Sequence, residues 1–200
     1  MPSTLRYSSW ITSGSLLLHK TKTIANLLLS NVNVSKIASQ VEESNILQIR
    51  TESGRKKCIQ LILNRIKNVN KKYLYYISNG TFEESSLLLL LIIANKNRIF
   101  GDFLRYISSE YINKNIFTLD KKIWNKYIDQ CLVVEPSLNK WAESTRKKVK
   151  QVVFSILYDT KIIDKKTLAI QTVRPPSIVQ DFLNEPENEY VRACVQGIFI

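Results

Sequence analysis

The chain has 200 residues, 44% of them hydrophobic and 23% charged, and its 29 Lys and Arg against 17 Asp and Glu give a net charge of +12. This length and apolar content are enough for a folded core, and they exclude a disordered chain. The positive charge favours nucleic acid, an acidic protein or an anionic membrane surface as a partner. Residues 1–80 hold 12 basic and 3 acidic side chains, so they carry +9 of this charge.

The cysteines and the N-terminus indicate the compartment. Cys58, Cys131 and Cys194 are far apart and odd in number, which does not match a disulfide framework or a zinc site. The uncharged run after Arg6 lacks a small-x-small cleavage site, so no signal peptide is predicted. We therefore expect a cytoplasmic protein with reduced cysteines.

The N-terminal part of the chain predicts a pair of helices that ends in a basic helix. Residues 1–13 are expected to be a loose lead-in, and an apolar stripe predicts a first helix over about 15–30. Ser35 is expected to cap a short second helix, and a basic third helix is expected from Ser53 after an extended connector. Helix, connector and basic helix is the order of a helix-turn-helix. Residues 1–80 are therefore predicted to form a basic N-terminal helical subdomain with a helix-turn-helix-like element.

Lysines and tyrosines are interleaved over residues 67–76. Tyrosines beside lysines could stack on the bases of single-stranded nucleic acid. Alternatively, Leu74 and Ile77 mark a buried helix face and the tyrosines surround it, which is the interpretation that we favour.

The middle of the chain predicts a core of helices. Thr81 and Glu84 have the spacing of a capping box, and the box opens the most hydrophobic stretch of the sequence. Only 11 uncharged residues separate Glu84 from Lys96, whereas a membrane span takes about 20, so we expect a central core helix. Two more amphipathic helices are predicted over about 99–111 and, with Asp120 as a cap, to about 132.

The stretch from Trp141 to Tyr158 predicts an amphipathic helix with a basic N-terminal end. Ser144 or Thr145 is expected to cap its first turn, and a positive helix end with cations around it favours phosphate, as in a recognition helix. An ordinary core helix with a solvated basic face is the alternative. The predicted nucleic-acid contacts at this opening are Ser144, Thr145, Arg146, Lys147, Lys148 and Lys150.

A similar motif lies 91 positions earlier. Residues 52–60, ESGRKKCIQ, align without a gap on residues 143–151, ESTRKKVKQ, and a leucine lies five residues before each glutamate. Two similar basic helix openings suit a long polyanion, and coincidence is the alternative. The predicted contacts at the first opening are Ser53, Arg55, Lys56 and Lys57.

The C-terminal part of the chain predicts a strand or hairpin that would be the wing of a winged helix. Residues 167–173 are β-branched and apolar and predict a short strand or hairpin, which after a helix-turn-helix over 120–160 gives the order of a winged helix. Residues 175–176 begin a short helix, and a last helix is expected over 190–196. The expected fold is mainly α, a compact helical bundle with helix-turn-helix and winged-helix-like elements. Residues 81–200 form its C-terminal subdomain, unless the whole chain is one unit.

No catalytic motif is present in the sequence. The five glycines are isolated, and no nucleophile elbow, His-Glu-x-x-His motif or close cysteine pair occurs. His19 has no cysteine or acid at ligand spacing, so we predict no catalytic role for it. We therefore predict no enzyme activity, metal, cofactor or small-molecule substrate.

Four segments together resemble a known family. They are WAESTRKKVKQVVFSILYDTKII, IWNKYIDQC before it, NRIFGDFL upstream and a closing FL…YVRACVQ. They resemble the BrxA family of BREX bacteriophage-exclusion systems, most densely over about 98–196. The resemblance implies a cytoplasmic, mostly helical DNA-binding protein with likenesses to winged-helix domains and to the NusB fold, and a role in phage defence.

Residues and resemblance together predict a non-enzymatic accessory protein that binds double-stranded DNA, largely without sequence preference, through two basic helix N-termini. The expected partners are double-stranded DNA and other BREX proteins, without a membrane. The alternative is an RNA-binding, NusB-like module or a protein scaffold, whose basic surface meets RNA or an acidic partner.

Overall fold

The computed structural model describes residues 7–30 and 33–200, and these two ranges form ten α-helices joined by turns and short 3-10 helices. The α-helices are α1 (Leu18–Leu29), α2 (Val34–Ser44), α3 (Glu52–Ile66), α4 (Lys71–Asn79), α5 (Phe82–Lys96), α6 (Arg98–Glu110), α7 (Ile123–Val134), α8 (Glu143–Asp159), α9 (Ser177–Asn184) and α10 (Glu189–Cys194). The predicted mainly helical fold is confirmed.

Helix α5 lies at the centre of the fold, with ten of its fifteen residues buried. The capping box forms: Thr81 Oγ1 accepts from the Glu84 amide at 3.2 Å, and Glu84 Oε2 accepts from the Thr81 amide at 2.7 Å. Every residue over 85–94 is buried, and α1, α3, α4, α6, α9 and α10 all contact the helix. Within the described ranges, no helix is both long and apolar enough to cross a membrane.

A turn separates α3 from the next helix. Helix α3 ends at Ile66, and Val69 lies between α3 and α4. Asn70 caps α4 because its Oδ1 accepts from the Lys72 amide at 2.9 Å. Tyr73 is buried while Tyr75 is 55% exposed, so the tyrosines do not form one exposed stacking surface.

The described part of the N-terminal lead-in is packed, contrary to the prediction of a loose segment. Residues 9–13 form a 3-10 helix, and Ile11 in it is fully buried. Arg65 of α3 is also fully buried, and its guanidinium donates to the carbonyl oxygens of Gly14 and Ser15, both at 2.7 Å. This arginine therefore fastens the lead-in to α3. Residues 1–6 lie outside the described ranges.

The strand predicted over 167–173 does not form. Three short segments, 117–119, 162–164 and 168–171, lie side by side instead and are joined by isolated antiparallel bridges. We call them the bridged segments. Leu168 adopts a left-handed φ of 58°, which interrupts an extended strand at this point. Four backbone hydrogen bonds of 2.8–2.9 Å join the segments, from Ile170 to Phe117, Leu119 to Leu168, Asp164 to Ala169 and Gln171 to Ile162.

Candidate nucleic-acid interface

The opening of α8 is built differently from the prediction. The helix begins at Glu143, and its N-cap position is Ala142, which has no side chain that can cap. Ser144 and Thr145 therefore lie inside the first turn, and the predicted cap at either residue is wrong. A capping side chain must precede the helix with non-helical backbone angles, and Ser144 is already the second residue of the helix.

Three of the four cations at the α8 opening have a partner within the protein. Arg146 Nη2 donates to the carbonyl oxygen of Leu138 at 3.1 Å, and Lys147 Nζ lies 2.7 Å from Glu143 Oε1. The Lys147 ammonium lowers the pKa of the Glu143 carboxyl. Lys148 Nζ donates to the neutral amide oxygen Oε1 of Gln151 at 3.2 Å. Lys148 is exposed and Lys150 is half-buried, and neither pairs with an acid in the described chain, so their charges are not neutralised by an ion pair.

The opening of α3 shows the same pattern. The helix begins at Glu52 and is capped by Thr51, whose Oγ1 accepts from the Gly54 amide at 3.2 Å, so Ser53 lies inside the first turn. Arg55 Nη1 donates to the carbonyl oxygen of Ile49 at 3.1 Å. Its guanidinium is thus turned back onto the connector.

Lys56 of the same opening is held between two acids. Its Nζ lies 2.6 Å from Glu52 Oε1 and 3.2 Å from Glu42 Oε1, and these contacts raise the pKa of Lys56. Lys57 is exposed and forms neither a hydrogen bond nor an ion pair within the described residues. Lys57 is therefore the available cation at this opening.

The two openings share their local structure as well as their sequence. In each, a glutamate begins the helix and pairs with the lysine one turn later, and an arginine folds back onto a preceding carbonyl. The leucine that precedes each motif, Leu47 or Leu138, is buried. The repeated motif thus forms the N-terminus of a helix. The third cation of the motif, Lys57 or Lys148, is exposed to solvent.

An open groove adjoins the α3 opening. It has a volume of about 1120 Å³ and is lined by side chains of α2, α3 and the N-terminal 3-10 helix, among them Trp10, Ala38, Lys57 and Gln60. Apolar and cationic groups therefore meet beside Lys57.

Sequence reasoning missed four lysines. Lys121, Lys122, Lys165 and Lys166 are exposed, and within the described chain none of their side chains forms a hydrogen bond or an ion pair. The signal that could have found them is a second short repeat, because each pair follows an aspartate in the tripeptide Asp-Lys-Lys.

No three His, Cys, Asp or Glu side chains of the described ranges gather where they could hold a metal ion. His19 is exposed on α1. Burial raises the pKa of Cys131 and of Cys194, which disfavours the thiolate that a nucleophile needs.

Arg98, Asp102 and Tyr190 of the family-like segments meet Tyr7 in a partly buried network. Asp102 Oδ1 accepts from the Tyr190 hydroxyl at 2.9 Å, and Asp102 Oδ2 accepts from the Tyr7 hydroxyl at 3.0 Å. The Arg98 guanidinium lies 4.1 Å from the centre of the Tyr190 ring and 3.4 Å from Asp102 Oδ2. The network ties the N-terminal segment, α6 and α10 together.

The fold and these contacts define a class of protein that is basic and mainly helical. It has two pairs of consecutive helices, α2–α3 and α7–α8, and in each pair the second helix has a cationic N-terminal end. The comparison with known families is consistent with the resemblance found in the sequence. The chain belongs to the BrxA family, whose model matches residues 5–187.

Individual relatives span almost the whole chain. A protein named BREX protein BrxA from Paramagnetospirillum magneticum is 28% identical over 192 residues, which cover 96% of this chain and 96% of that protein. A protein of the same name from Bacillus cereus is 25% identical over 195 residues, covering 97% of this chain and 94% of the relative. A crystal structure of an uncharacterized protein from Magnetospirillum magneticum has a TM-score of 0.82 at 28% identity, covering 96% of this chain and 99% of that one.

Proposed function

We propose that this protein binds double-stranded DNA, mainly through phosphates, as a non-enzymatic accessory component of a BREX phage-defence system. The observation that carries the proposal is the pair of similar helix openings, each of which has an exposed lysine without an acid partner in the described chain, Lys57 or Lys148, in the first turns of a helix. Helix N-termini attract anions, and lysines neutralise phosphates without reading bases. The net charge of +12 and the names of the relatives support the same function.

The order of elements supports a winged-helix-like arrangement for the second opening. Helices α7 and α8 are followed by the bridged segments 162–164 and 168–171, and segment 117–119 from before α7 lies beside 168–171. In a winged helix the second helix of the pair enters the major groove while the wing contacts DNA beside it. Other BREX proteins are the expected protein partners.

The groove beside the α3 opening supports a second candidate, the RNA-binding or scaffold module. Its volume of about 1120 Å³ and the presence of Trp10 suit an unpaired base or a partner's side chains better than a duplex backbone. In this function the cations around Lys57 would hold RNA or an acidic protein.

Equilibrium binding to four nucleic acids separates the two candidates. The ligands are two DNA duplexes of unrelated sequence, one single-stranded DNA and one RNA duplex, each titrated over a series of salt concentrations. We expect both DNA duplexes to bind equally, with log K falling by about 0.9 per log unit of salt for each phosphate contacted. Binding that is insensitive to salt, or that prefers RNA or single strands, would contradict the proposal.

A further inference from the structure

Two turns with the same sequence present four lysines. Asp120 precedes Lys121 and Lys122, and Asp164 precedes Lys165 and Lys166. In both turns the aspartate carboxylate accepts from the amide of the second lysine, at 2.8 Å in the first turn and 2.9 Å in the second. This is an Asx-turn, which fixes the backbone while the lysine side chains extend into solvent. We call the two tripeptides the DKK turns.

The aspartates of the DKK turns form no ion pair with the four lysines of these turns. Backbone hydrogen bonds lower the pKa of both carboxyls, and Asp120 Oδ2 also pairs with Lys126 at 2.6 Å. Asp164 Oδ1 instead accepts from the amide and the hydroxyl of Thr167, at 2.7 and 2.8 Å. Both acids are therefore occupied by their own turns, and the four lysine charges remain available to a partner.

The pairing of the bridged segments places the two DKK turns at the same end of these segments. Segments 117–119 and 162–164 both run antiparallel to 168–171, so they point in the same direction. Each leads directly into a DKK turn at its carboxyl end, because Leu119 precedes Asp120 and Ile163 precedes Asp164. Four lysines that are distant in sequence thus form one cationic surface.

The first DKK turn lies beside α8. Lys122 is two residues before Trp124, a distance of at most about 7 Å along the chain. Trp124 lines a small apolar cavity together with Arg146 and Val149, and its ring centre lies 6.3 Å from that of Phe154. The second DKK turn follows the C-terminal end of α8, where the amides of Ile162 and Ile163 donate to the Leu157 carbonyl oxygen. The DKK turns therefore extend the cationic surface from the middle of α8 toward its C-terminal end.

We propose that the DKK turns form a second phosphate-binding surface, which holds the backbone of the same duplex that the α8 opening meets. The inference rests on the proposed function, since it adds a contact surface to the same DNA complex. Lysine ammonium groups are point charges that suit phosphate and cannot form the bidentate base contacts of arginine. The surface therefore contributes affinity and salt dependence without adding sequence preference.

Charge reversal with a matched control tests the inference. The variants are Lys121→Glu with Lys122→Glu, and Lys165→Glu with Lys166→Glu. The control is Lys67→Glu with Arg192→Glu, two exposed cations outside the bridged segments that give the same change in net charge. The measurement is duplex affinity against salt for each protein, with a melting curve to establish folding.

Each DKK variant should lose two phosphate contacts. Counterion release at about 0.9 per contact predicts a salt slope smaller by about 1.8 and an affinity about 60-fold lower at about 0.1 M salt, whereas the control should change less than about threefold. If a Glu variant does not fold, the corresponding Lys→Gln pair is measured in its place, and the same reduction in slope is expected.

The outcomes distinguish this inference from the proposed function. Wild-type protein that does not bind duplex DNA overturns both. Wild-type binding, with DKK variants that match the control, overturns the second surface and leaves the proposed function intact. Equal losses in the DKK variants and in the control would show that the overall charge sets the affinity, which also overturns the second surface.

Discussion

The Nζ atom of Lys147 lies 2.7 Å from Oε1 of Glu143, the first residue of the same helix. A phosphate at the α8 opening must compete with this carboxylate for the ammonium. Glu143→Gln removes the competing charge, so we expect duplex affinity at about 0.1 M salt to rise by up to about eightfold, the value of one phosphate contact. Titration of labelled duplex with wild-type and variant protein measures the change.

Glu187→Gln is the matched control for this variant. Glu187 is exposed in the acidic C-terminal region, and its replacement changes the net charge by the same amount. We expect it to change the affinity less than about twofold, because long-range charge effects are screened at this ionic strength. An equal rise in both variants would mean that net charge, and not the Lys147 pair, limits binding.

The sequence predicted most helices because their signals are local. The capping box at Thr81 and Glu84 and the buried stripe of α8 each depend on residues within one or two turns. The predicted cap at Ser144 or Thr145 was wrong, since the N-cap is Ala142, two residues before Ser144, and the helix begins at Glu143.

The parts of the site that could not be predicted depend on distant residues. Lys56 looked available in the sequence, but its second acid, Glu42, comes from α2. The strand over 167–173 fails at the left-handed Leu168, a backbone angle that no residue type there predicts. The identical tripeptides of the two DKK turns can be seen in the sequence. Their proximity depends on the antiparallel pairing of the bridged segments, which the sequence did not predict.

Arg65 provides a test of stability. Its guanidinium is fully buried, burial lowers its pKa to about 10, and two of its nitrogens donate to the Gly14 and Ser15 carbonyl oxygens. We expect Arg65→Leu to lower the free energy of unfolding by about 2–4 kcal/mol, because it leaves two buried carbonyls without donors. Arg65→Lys should recover only part of the loss, since an ammonium lacks the planar fork.

Urea denaturation of the two Arg65 variants measures these changes. Arg192→Leu is the control, because Arg192 is exposed and its replacement should shift the free energy of unfolding by no more than about 0.5 kcal/mol. Arg65 Nε has no hydrogen-bond partner within the described residues, so burying this charge has a cost. A variant with leucine that is more stable than the wild type would show that this cost exceeds the value of the two hydrogen bonds.

The tyrosines that bind Asp102 predict a loss of stability at alkaline pH. Burial, with smaller contributions from a nearby thiol and from Asp102, raises the pKa of Tyr7 and of Tyr190 above the ordinary value of 10.0. When the pKa of a hydroxyl is higher in the folded state, its contribution to stability is fully present at pH values below its pKa in the unfolded chain. This contribution is lost as the pH rises toward its pKa in the folded state. We therefore expect the free energy of unfolding to fall above about pH 10.

Tyr190→Phe tests the origin of this pH dependence. Removing the hydroxyl should cost about 1 kcal/mol near neutral pH, because one hydrogen bond to Asp102 is lost. Above about pH 10 the variant should lose stability less steeply than the wild type, since one fewer shifted group titrates. Tyr75→Phe, at a 55% exposed position, should keep the wild-type profile. Parallel profiles for wild type and Tyr190→Phe would exclude Tyr190 as a cause.

The two helix openings can be compared directly by charge reversal. One variant replaces Arg146, Lys147 and Lys148 with Glu, and the other makes the same change at residues 55–57. We expect both to remain folded, although each loses the contact of its arginine to a backbone carbonyl, worth about 1 kcal/mol. The 146–148 variant should lose more duplex affinity, because the DKK turns are proposed to hold the same duplex that α8 meets.

Single substitutions show whether the available lysine accounts for each loss. Lys148→Glu alone should reproduce most of the affinity and salt-slope reduction of the 146–148 variant, since Arg146 and Lys147 are engaged within the protein. Lys57→Glu should do the same for the 55–57 variant. Duplex affinity against salt is measured for all four proteins and for a combination of the two triple variants, with melting curves as the folding control. A folded 146–148 variant that binds like the wild type would refute the recognition-helix interpretation of α8. If only the 55–57 variant binds like the wild type, the repeated motif serves to start a helix at α3, and the DNA surface is confined to α8 and the DKK turns.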